Sequence, residues 1–330
     1  MTAAARMNLG LGAGLLLALL AATAVGSTEL GPARLLAALA GGGQPGDAVV
    51  LWQIRLPRAC CAALVGAALG ISGAALQGLL RNPLAEPGVL GVSATAAFAA
   101  LLALFLGAAA LSPWMIPLAA VGGALIATVL IAVAAVRTAS VVTLILVGVG
   151  LSSFAAALTS LLINLAHSPF TLADMVNWML GTVANRSFMD LLFALPFVVL
   201  GAGLLLATRR GLSALVLGEE SAAALGVDLA RQRLLVVLGA GVATGGAVAL
   251  AGSIGFVGIV APHLVRPAVG HDPARSLVPA ALLGALLLVL ADLLVRLLPT
   301  GTELRLGVVA ALVGAPLFVR IAMRRAAGHG

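Results

Sequence analysis

From Leu234 to Ala261 the chain runs 28 residues without a charged side chain. It is one instance of a pattern that recurs along its length. A helix crossing a hydrocarbon core needs about 20 apolar residues. Such runs occur near 9–26, 59–80, 88–111, 114–136, 141–166, 191–207, 234–252, 277–298 and 306–323. The 28-residue run is too long for one untilted span, and Gly252, Gly255 and Gly258 interrupt it ahead of Pro262. It reads as a helix to Ala251, a glycine-rich break, and a shorter helix from Phe256 to Val269. The expectation is an all-α polytopic membrane protein with about ten transmembrane helices, residues 1–330 forming a single transmembrane domain. Arg6 and the string Ala24-Val25-Gly26 give the first run some likeness to a signal peptide. Nine further spans follow, and an uncleaved first helix is the simpler reading.

Composition closes off other classes. Apolar residues make up 62% and charged residues 9%, where soluble domains carry about a quarter charged. A mean hydropathy of +1.20 leaves too little polar surface to coat a globule. All 18 basic residues are Arg and Lys is absent. That excludes a P-loop lysine, a lysine Schiff base and a lysine general base, so any ATP the protein uses, with its Mg, must sit on another chain. The adjacent Cys60 and Cys61 have no metal-ligand spacing and read as small buried membrane residues. Of the histidines, His263 reads as structural, His167 as a polar group at the outer end of the fifth span, and His271 and His329 as solvated.

The net charge of +7 speaks to orientation rather than to nucleic acid. An even number of spans puts both termini on one side. With both inside, twelve arginines are cytoplasmic (6, 81, 137, 209, 210, 231, 233, 266, 275, 320, 324 and 325) and six lie outside (34, 55, 58, 186, 296 and 305). That two-to-one bias favours cytoplasmic termini. Gly66 with Gly70, and Gly241 with Gly245, have the GxxxG spacing that lets helix backbones approach closely.

Two linkers stand out. The outer one, 27–58, contains Gly41-Gly42-Gly43-Gln44-Pro45-Gly46 and ends in Trp52-Gln53-Ile54-Arg55-Leu56-Pro57-Arg58. The inner one, 208–233, is the most charged segment. Within it, Glu219 and Glu220 open an Ala-rich stretch that Gly226 can stop, carboxylates at the positive end of a helix dipole and glycine just past the other end. A helix of two turns is unstable alone in water. It needs a docking site, and both a coupling helix seated in a cytosolic ATPase and an ordinary interfacial loop helix meet that need.

The strings WQIRLPR, GAALGISGAALQGLLRNPLAEPGVLGVS, LGEESAAALGVD, ALAGSIGFVGIVAPHLVR and LLVLADLLVRL, the last followed by ELRLGVVAALVGAPLFV, run in order from Trp52 to Phe318. Together they resemble the iron-chelate and cobalamin (FecCD-type) permease family of ABC importers. The resemblance implies the type II importer architecture: a homodimer of ten-span subunits in the bacterial inner membrane, both termini cytoplasmic. It also implies two cytosolic ATP-binding subunits below and a periplasmic substrate-binding protein above.

The resemblance turns the 208–233 linker into the coupling element, with the ATPase contact on Gly218, Glu219, Ala222, Leu225 and Gly226. It implies docking of the binding protein through outward-facing arginines, which match Arg55, Arg58 and Arg296, meeting glutamates on its two lobes. Asp292, four residues before Arg296, is placed to pair with it. A cytoplasmic gate would involve Asn82 and the segment Ser140, Val141 and Val142, the last two apolar where some relatives are polar. The function expected is therefore inward transport of a bulky chelate, a ferric siderophore first, with haem and cobalamin as alternatives, and with no catalytic residue in this chain. A rival of another class is a secondary transporter driven by an ion gradient. It calls for acidic groups at mid-membrane, and Asp292 near a helix end is a poor substitute.

Overall fold

The computed structural model describes residues 3–26, 31–40, 42–138, 140–298 and 303–327. His329 and residues 27–30 and 41 of the outer linker lie outside them. The described chain forms α1 (Ala3–Ala24), α2 (Pro32–Leu39), α3 (Pro45–Val49), α4 (Leu56–Leu79), α5 (Val92–Phe105), α6 (Met115–Arg137), α7 (Val141–Asn164) and α8 (Pro169–Met179). There follow α9 (Phe188–Ala207), α10 (Arg209–Ala214), α11 (Glu219–Ala224), α12 (Leu229–Ala251), α13 (Val257–Val265), α14 (Pro273–Leu297) and α15 (Leu306–Ala327).

Among the described residues, seven helices are long and apolar enough to cross a membrane, the segment Pro45–Leu79 counting as one; α5, α13 with its extension to Val269, and α15 are shorter apolar helices at the other three expected positions. The span expected at 88–111 is confined to the 14 residues of α5. Left-handed Gly91 and Gly107, at φ +79° and +68°, bracket it, and a left-handed residue ends helical propagation. The outer linker also differs from a loop. From Pro45 the chain is helical through α3, a π-wound stretch Val50–Arg55 and α4. The wide turn immediately precedes Pro57, whose ring otherwise clashes with a carbonyl one turn back.

The most buried spans, α4 and α12, form the axis of the bundle. Between lipid-immersed helices there is no hydrophobic drive, so close approach and dispersion must supply association. Glycines on α4 allow it. A Cβ at Gly66 would overlap the Gly284 carbonyl of α14, one at Gly70 the Ala280 carbonyl, and one at Gly73 the Gly258 carbonyl of α13. On α12, Gly241 lies against Thr128 and Gly245 against Ala124, both of α6, while Gly239 faces Gly201 of α9. The two GxxxG pairs seen in the sequence are thus helix crossings.

Beside two smaller clusters around Val121 and Met175, two large apolar cores dominate the described interior. One, with Leu76, Leu79, Leu205, Leu212 and Val236, lies toward the end that carries α10 and α11, the linker end. The other, with Val65, Val198, Leu250 and Leu288, lies toward the end where α1 finishes and α4 begins. The outward faces of α7 and α9 stay apolar and open, with Leu146, Phe154, Val199 and Leu200 all exposed.

Gly66→Ala is expected to cost about 1–3 kcal/mol, the scale of overpacking a tight interior, and to lower the thermal unfolding midpoint of the purified protein in detergent. Gly122→Ala in α6 has open space around the added methyl and is expected to leave the midpoint unchanged or raise it.

Candidate functional site

Chemistry-bearing side chains gather at the two ends of the bundle. Where α1 finishes, the C-terminal turn leaves carbonyl oxygens without partners inside their own helix. Arg55 donates to the Thr23 and Ala24 carbonyls at 2.9 and 2.7 Å, and Arg296 to the Ala22 carbonyl at 2.9 Å. Two cations on the negative end of a helix dipole are favourable electrostatically as well. Asp292, only 1% exposed, sits between Arg58 and Arg296. Arg58 grips its Oδ1 with both Nε and Nη2, at 2.8 and 2.7 Å, and Arg296 pairs with Oδ2 one helical turn away. Arg58 also reaches Glu303, on the segment leading into α15.

The three arginines expected to act together do meet in one place. Their posture differs from the expectation of three outward-facing guanidinium groups. Arg55 is 3% exposed, and the Arg296 side chain is 7% exposed. Inside a protein a guanidinium must spend its donors on acceptors, and the α1 carbonyls and Asp292 are the nearest ones. Arg58 has a partner open to solvent, Glu303 with its side chain 42% exposed. The expected pairing of Asp292 with Arg296 is present. Sequence reading missed the Arg58–Asp292 grip and Glu303 because 234 and 245 residues separate the partners.

At the linker end α11 is held from both termini. Gly218, at φ +101°, starts it. At its other end Gly226, at φ +85°, turns the chain back, the Val227 N–H reaching the Ala222 carbonyl and the Gly226 N–H the Ala223 carbonyl. This paired closure satisfies the last carbonyls of a short helix. Glu219 pairs with Arg233 of α12 at 2.8 Å and lies 3.8 Å from Arg81, just past α4. Ala222 is fully buried in the core that includes Leu212, Leu215 and Val236. It is an anchor within the chain, not a contact surface. The face turned outward carries Val216, Leu217 and Leu225, each at least half exposed.

The expected gate residues occupy turns rather than a shared contact. The Asn82 Oδ1 accepts from the Leu84 N–H at 2.9 Å, shaping the turn after α4. Ser140 caps α7 by accepting from the Thr143 N–H; Val141 packs on the core beside it, and Val142 is exposed. The link after Asn82 meets α7 further along, where Ser152 donates to the Gly88 carbonyl and Gly148 fits beneath Leu90.

Within that link Glu86 accepts from the Phe256 N–H at the start of α13, while burial pushes its carboxyl up to about 7 from an ordinary 4.5. Phe256 itself is left-handed at φ +68°. His167 is exposed and lies against the Phe105 ring, 4.5 Å between centroids.

A bundle of apolar spans whose described ion pairs lie at its ends, with a short helix docked at one of them, is the build of a polytopic membrane protein. Residues 14–324 match the FecCD transport family, and the chain belongs to it. Among relatives, an uncharacterized ABC transporter permease protein, YvrB of Bacillus subtilis, is 43% identical over 284 residues, 84% of this chain and 80% of that protein. The cobalamin import system permease protein BtuC of Halobacterium salinarum is 40% identical over 273 residues, 82% of this chain and 72% of that one. The vitamin B12 import system permease protein BtuC of Salmonella paratyphi A is 40% identical over 279 residues, 84% of each. A solved structure of an ABC transporter assigned to the metal-chelate type, in an inward-facing conformation, superposes with a TM-score of 0.87 at 32% identity. It covers 97% of this chain and 99% of its own. The protein is an ABC importer permease of the type II fold, and in its family the ATPase activity resides on separate subunits.

Asp292→Asn leaves the Arg58 and Arg296 guanidinium groups without their shared carboxylate. The expected cost is about 3–5 kcal/mol, the scale of breaking a buried ion pair, read as a lower unfolding midpoint in detergent. Glu86 gives a pH signature. Its folded-state value lies above 4.5, so the folded protein holds this proton more tightly than the unfolded chain. Its contribution to stability is then greatest below about pH 4.5 and is lost as pH rises through about 7. Glu86→Gln is expected to flatten the decline in unfolding midpoint across that window; an unchanged slope would count against the assignment.

Proposed function

We propose that two copies of this chain form the membrane pathway of an importer that carries a metal chelate into the cell. In this reading the linker end faces the cytoplasm, with both termini, and meets two ATP-binding subunits that hold the ATP and Mg. The opposite end receives the substrate-binding protein. The twelve-to-six distribution of arginines supports that orientation in a bacterial inner membrane. The open apolar faces of α7 and α9 support burial against a second copy and lipid.

The observation that carries the reading is α11. A six-residue helix has no stability of its own, yet here it is closed at its C-terminus by Gly226 and Val227, tied by Glu219 to α12 and anchored by Ala222, with Leu217 and Leu225 turned outward. A rigidly mounted apolar knob suits insertion into a cleft on a motor subunit, whose closure would move α11 and α12 together. The contact surface on this reading is Leu225 and its neighbours, with Glu219, Gly218, Gly226 and Ala222 holding them in place. At the gate, Asn82, Ser140, Val141 and Val142 line the narrow cytoplasmic end when the two copies meet.

For cargo, the named cobalamin permeases among the relatives favour a cobalamin-type corrinoid over the ferric siderophore first expected, with haem a further alternative. The reading is tested in proteoliposomes holding the permease with its ATPase subunits and binding protein. ATP-dependent uptake of cyanocobalamin is expected; uptake of a ferric hydroxamate with no cyanocobalamin transport would return the cargo to the siderophore class. Uptake driven by an ion gradient without ATP would overturn the importer mechanism. In the same vesicles Leu225→Glu is expected to lower uptake by about tenfold or more, the scale of losing an interface anchor, with the unfolding midpoint unchanged. Ala222→Glu is expected to lower the midpoint as well, because it places a charge in the core.

A further inference from the structure

Among the described residues, the charged cluster where α1 finishes brings Arg55, Arg58 and Arg296 together with Asp292 and Glu303. Its members differ in how replaceable their partners are. Arg55 and Arg296 are committed to the α1 carbonyls and, for Arg296, to buried Asp292. Arg58 shares its Nη2 between Asp292 and Glu303. Asp292 is inaccessible, whereas Glu303 is 42% exposed and covers the outward edge of the guanidinium. An ion pair with one exposed member is worth little in water, so a second carboxylate presented by a partner can take its place. Asp292 and Glu303 already share Arg58, and a third carboxylate would add like-charge repulsion there, so the partner's carboxylate competes with Glu303 for its place.

We infer that Glu303 is a built-in stand-in for the partner's carboxylate: it occupies Arg58 while the docking face is empty and is displaced when the substrate-binding protein engages. Arg58 is then the arginine that touches the partner, and Arg55 and Arg296 are positioning residues that hold α1, α4 and α14 beneath it. This rests on the docking reading given above.

The location of Glu303 gives the displacement a consequence. It stands two residues before Arg305, which donates to the Asn177 Oδ1 of α8 at 2.8 Å, and four before Gly307, whose N–H meets the Gly181 carbonyl at 3.2 Å. The segment entering α15 is thus fastened to α4 through Glu303 and to the α8 region through the other two. Docking would free the first fastening and leave the others.

The test measures affinity of the importer's purified substrate-binding protein for the full permease–ATPase complex in nanodiscs at low salt. Glu303→Gln is expected to tighten binding by about two- to fivefold, the range an exposed ion pair supplies. Asp174→Asn, which removes the same charge from exposed α8, is expected to change it by less than that. Arg58→Gln is expected to weaken binding by about tenfold or more and to abolish the gain from Glu303→Gln in the double variant. Arg58→Lys, which keeps the charge beside Asp292, covers the case in which Arg58→Gln does not fold, and it too is expected to weaken binding by removing the two-pronged contact.

If Arg58→Gln and Arg58→Lys weaken docking but Glu303→Gln leaves it unchanged, the stand-in is overturned and the docking reading survives. An equal gain from Asp174→Asn also overturns the stand-in, because the effect is then one of overall charge. If no Arg58 variant alters binding, the docking reading itself fails.

Discussion

The close approach of α4 to its neighbours is the constraint on which the rest of this structure depends. In a bilayer, apolar side chains gain nothing by leaving lipid for one another, so helices associate through contact at short range. Glycine at positions 66, 70 and 73 lets the α4 backbone come directly against the backbones of α14 and α13. Once α14 is seated there, Asp292 faces the first turn of α4, and the Arg58–Asp292–Arg296 arrangement follows from the crossing. The charge cluster is stabilised by the packing and adds orientation to it; it does not replace the packing, because a buried ion pair roughly offsets its own desolvation.

The same economy governs where charge is allowed. Carboxylates number eleven in the whole chain, and those seen in ion pairs among the described residues lie at helix ends or in the segments between helices: Asp47 with Arg34, Asp190 with Arg186, Glu219 with Arg233, Asp272 with Arg275, Glu303 with Arg58, and Asp292 in the last turns of α14. Each contact joins segments that the apolar core leaves independent or stiffens a helix end. An ionised side chain at mid-bilayer would cost several kcal/mol, and placing charge at the rims avoids that cost while leaving the two ends chemically distinct. One end is a cationic cluster with an exposed carboxylate over it, and the other a short helix with an apolar face.

Much of this was legible in the sequence, for identifiable reasons. Spans announce themselves because a hydrocarbon core demands uninterrupted apolar runs, and the break at 252–256 was visible from its glycines. Gly226 as a helix stop and Asp292 as the partner of Arg296 were legible because both depend on residues within one or two turns. What the sequence hid were distant pairings: Arg58 with Asp292, Glu219 with Arg233 and Arg81, and Glu86 with the Phe256 backbone. It also misjudged posture. Three arginines at an outer rim look alike as letters, and only the position of the α1 carbonyls turns two of them inward. Ala222 was expected at a contact because the family resemblance assigns its helix that role; its burial instead makes it an anchor within the chain.

The continuity of α4 limits how the two ends can be related. From Pro45 to Leu79 the chain is helical for 35 residues, about 50 Å at the rise of an α-helix. It begins beside the cationic cluster and finishes two residues before Arg81, which faces Glu219 of α11. A helix packed by backbone contact on two sides cannot bend without opening those contacts, so α4 and α14 constitute one rigid unit. Any relative displacement between the partner-facing ends has to be absorbed where helical continuity is already broken. The break between α12 and α13 meets that condition, with left-handed Phe256 at its edge and Glu86 from the α4–α5 link holding it. That link also carries Asn82 and rests on α7 through Gly88 and Ser152. Hence the helical break and the link that holds it border the residues of the expected gate.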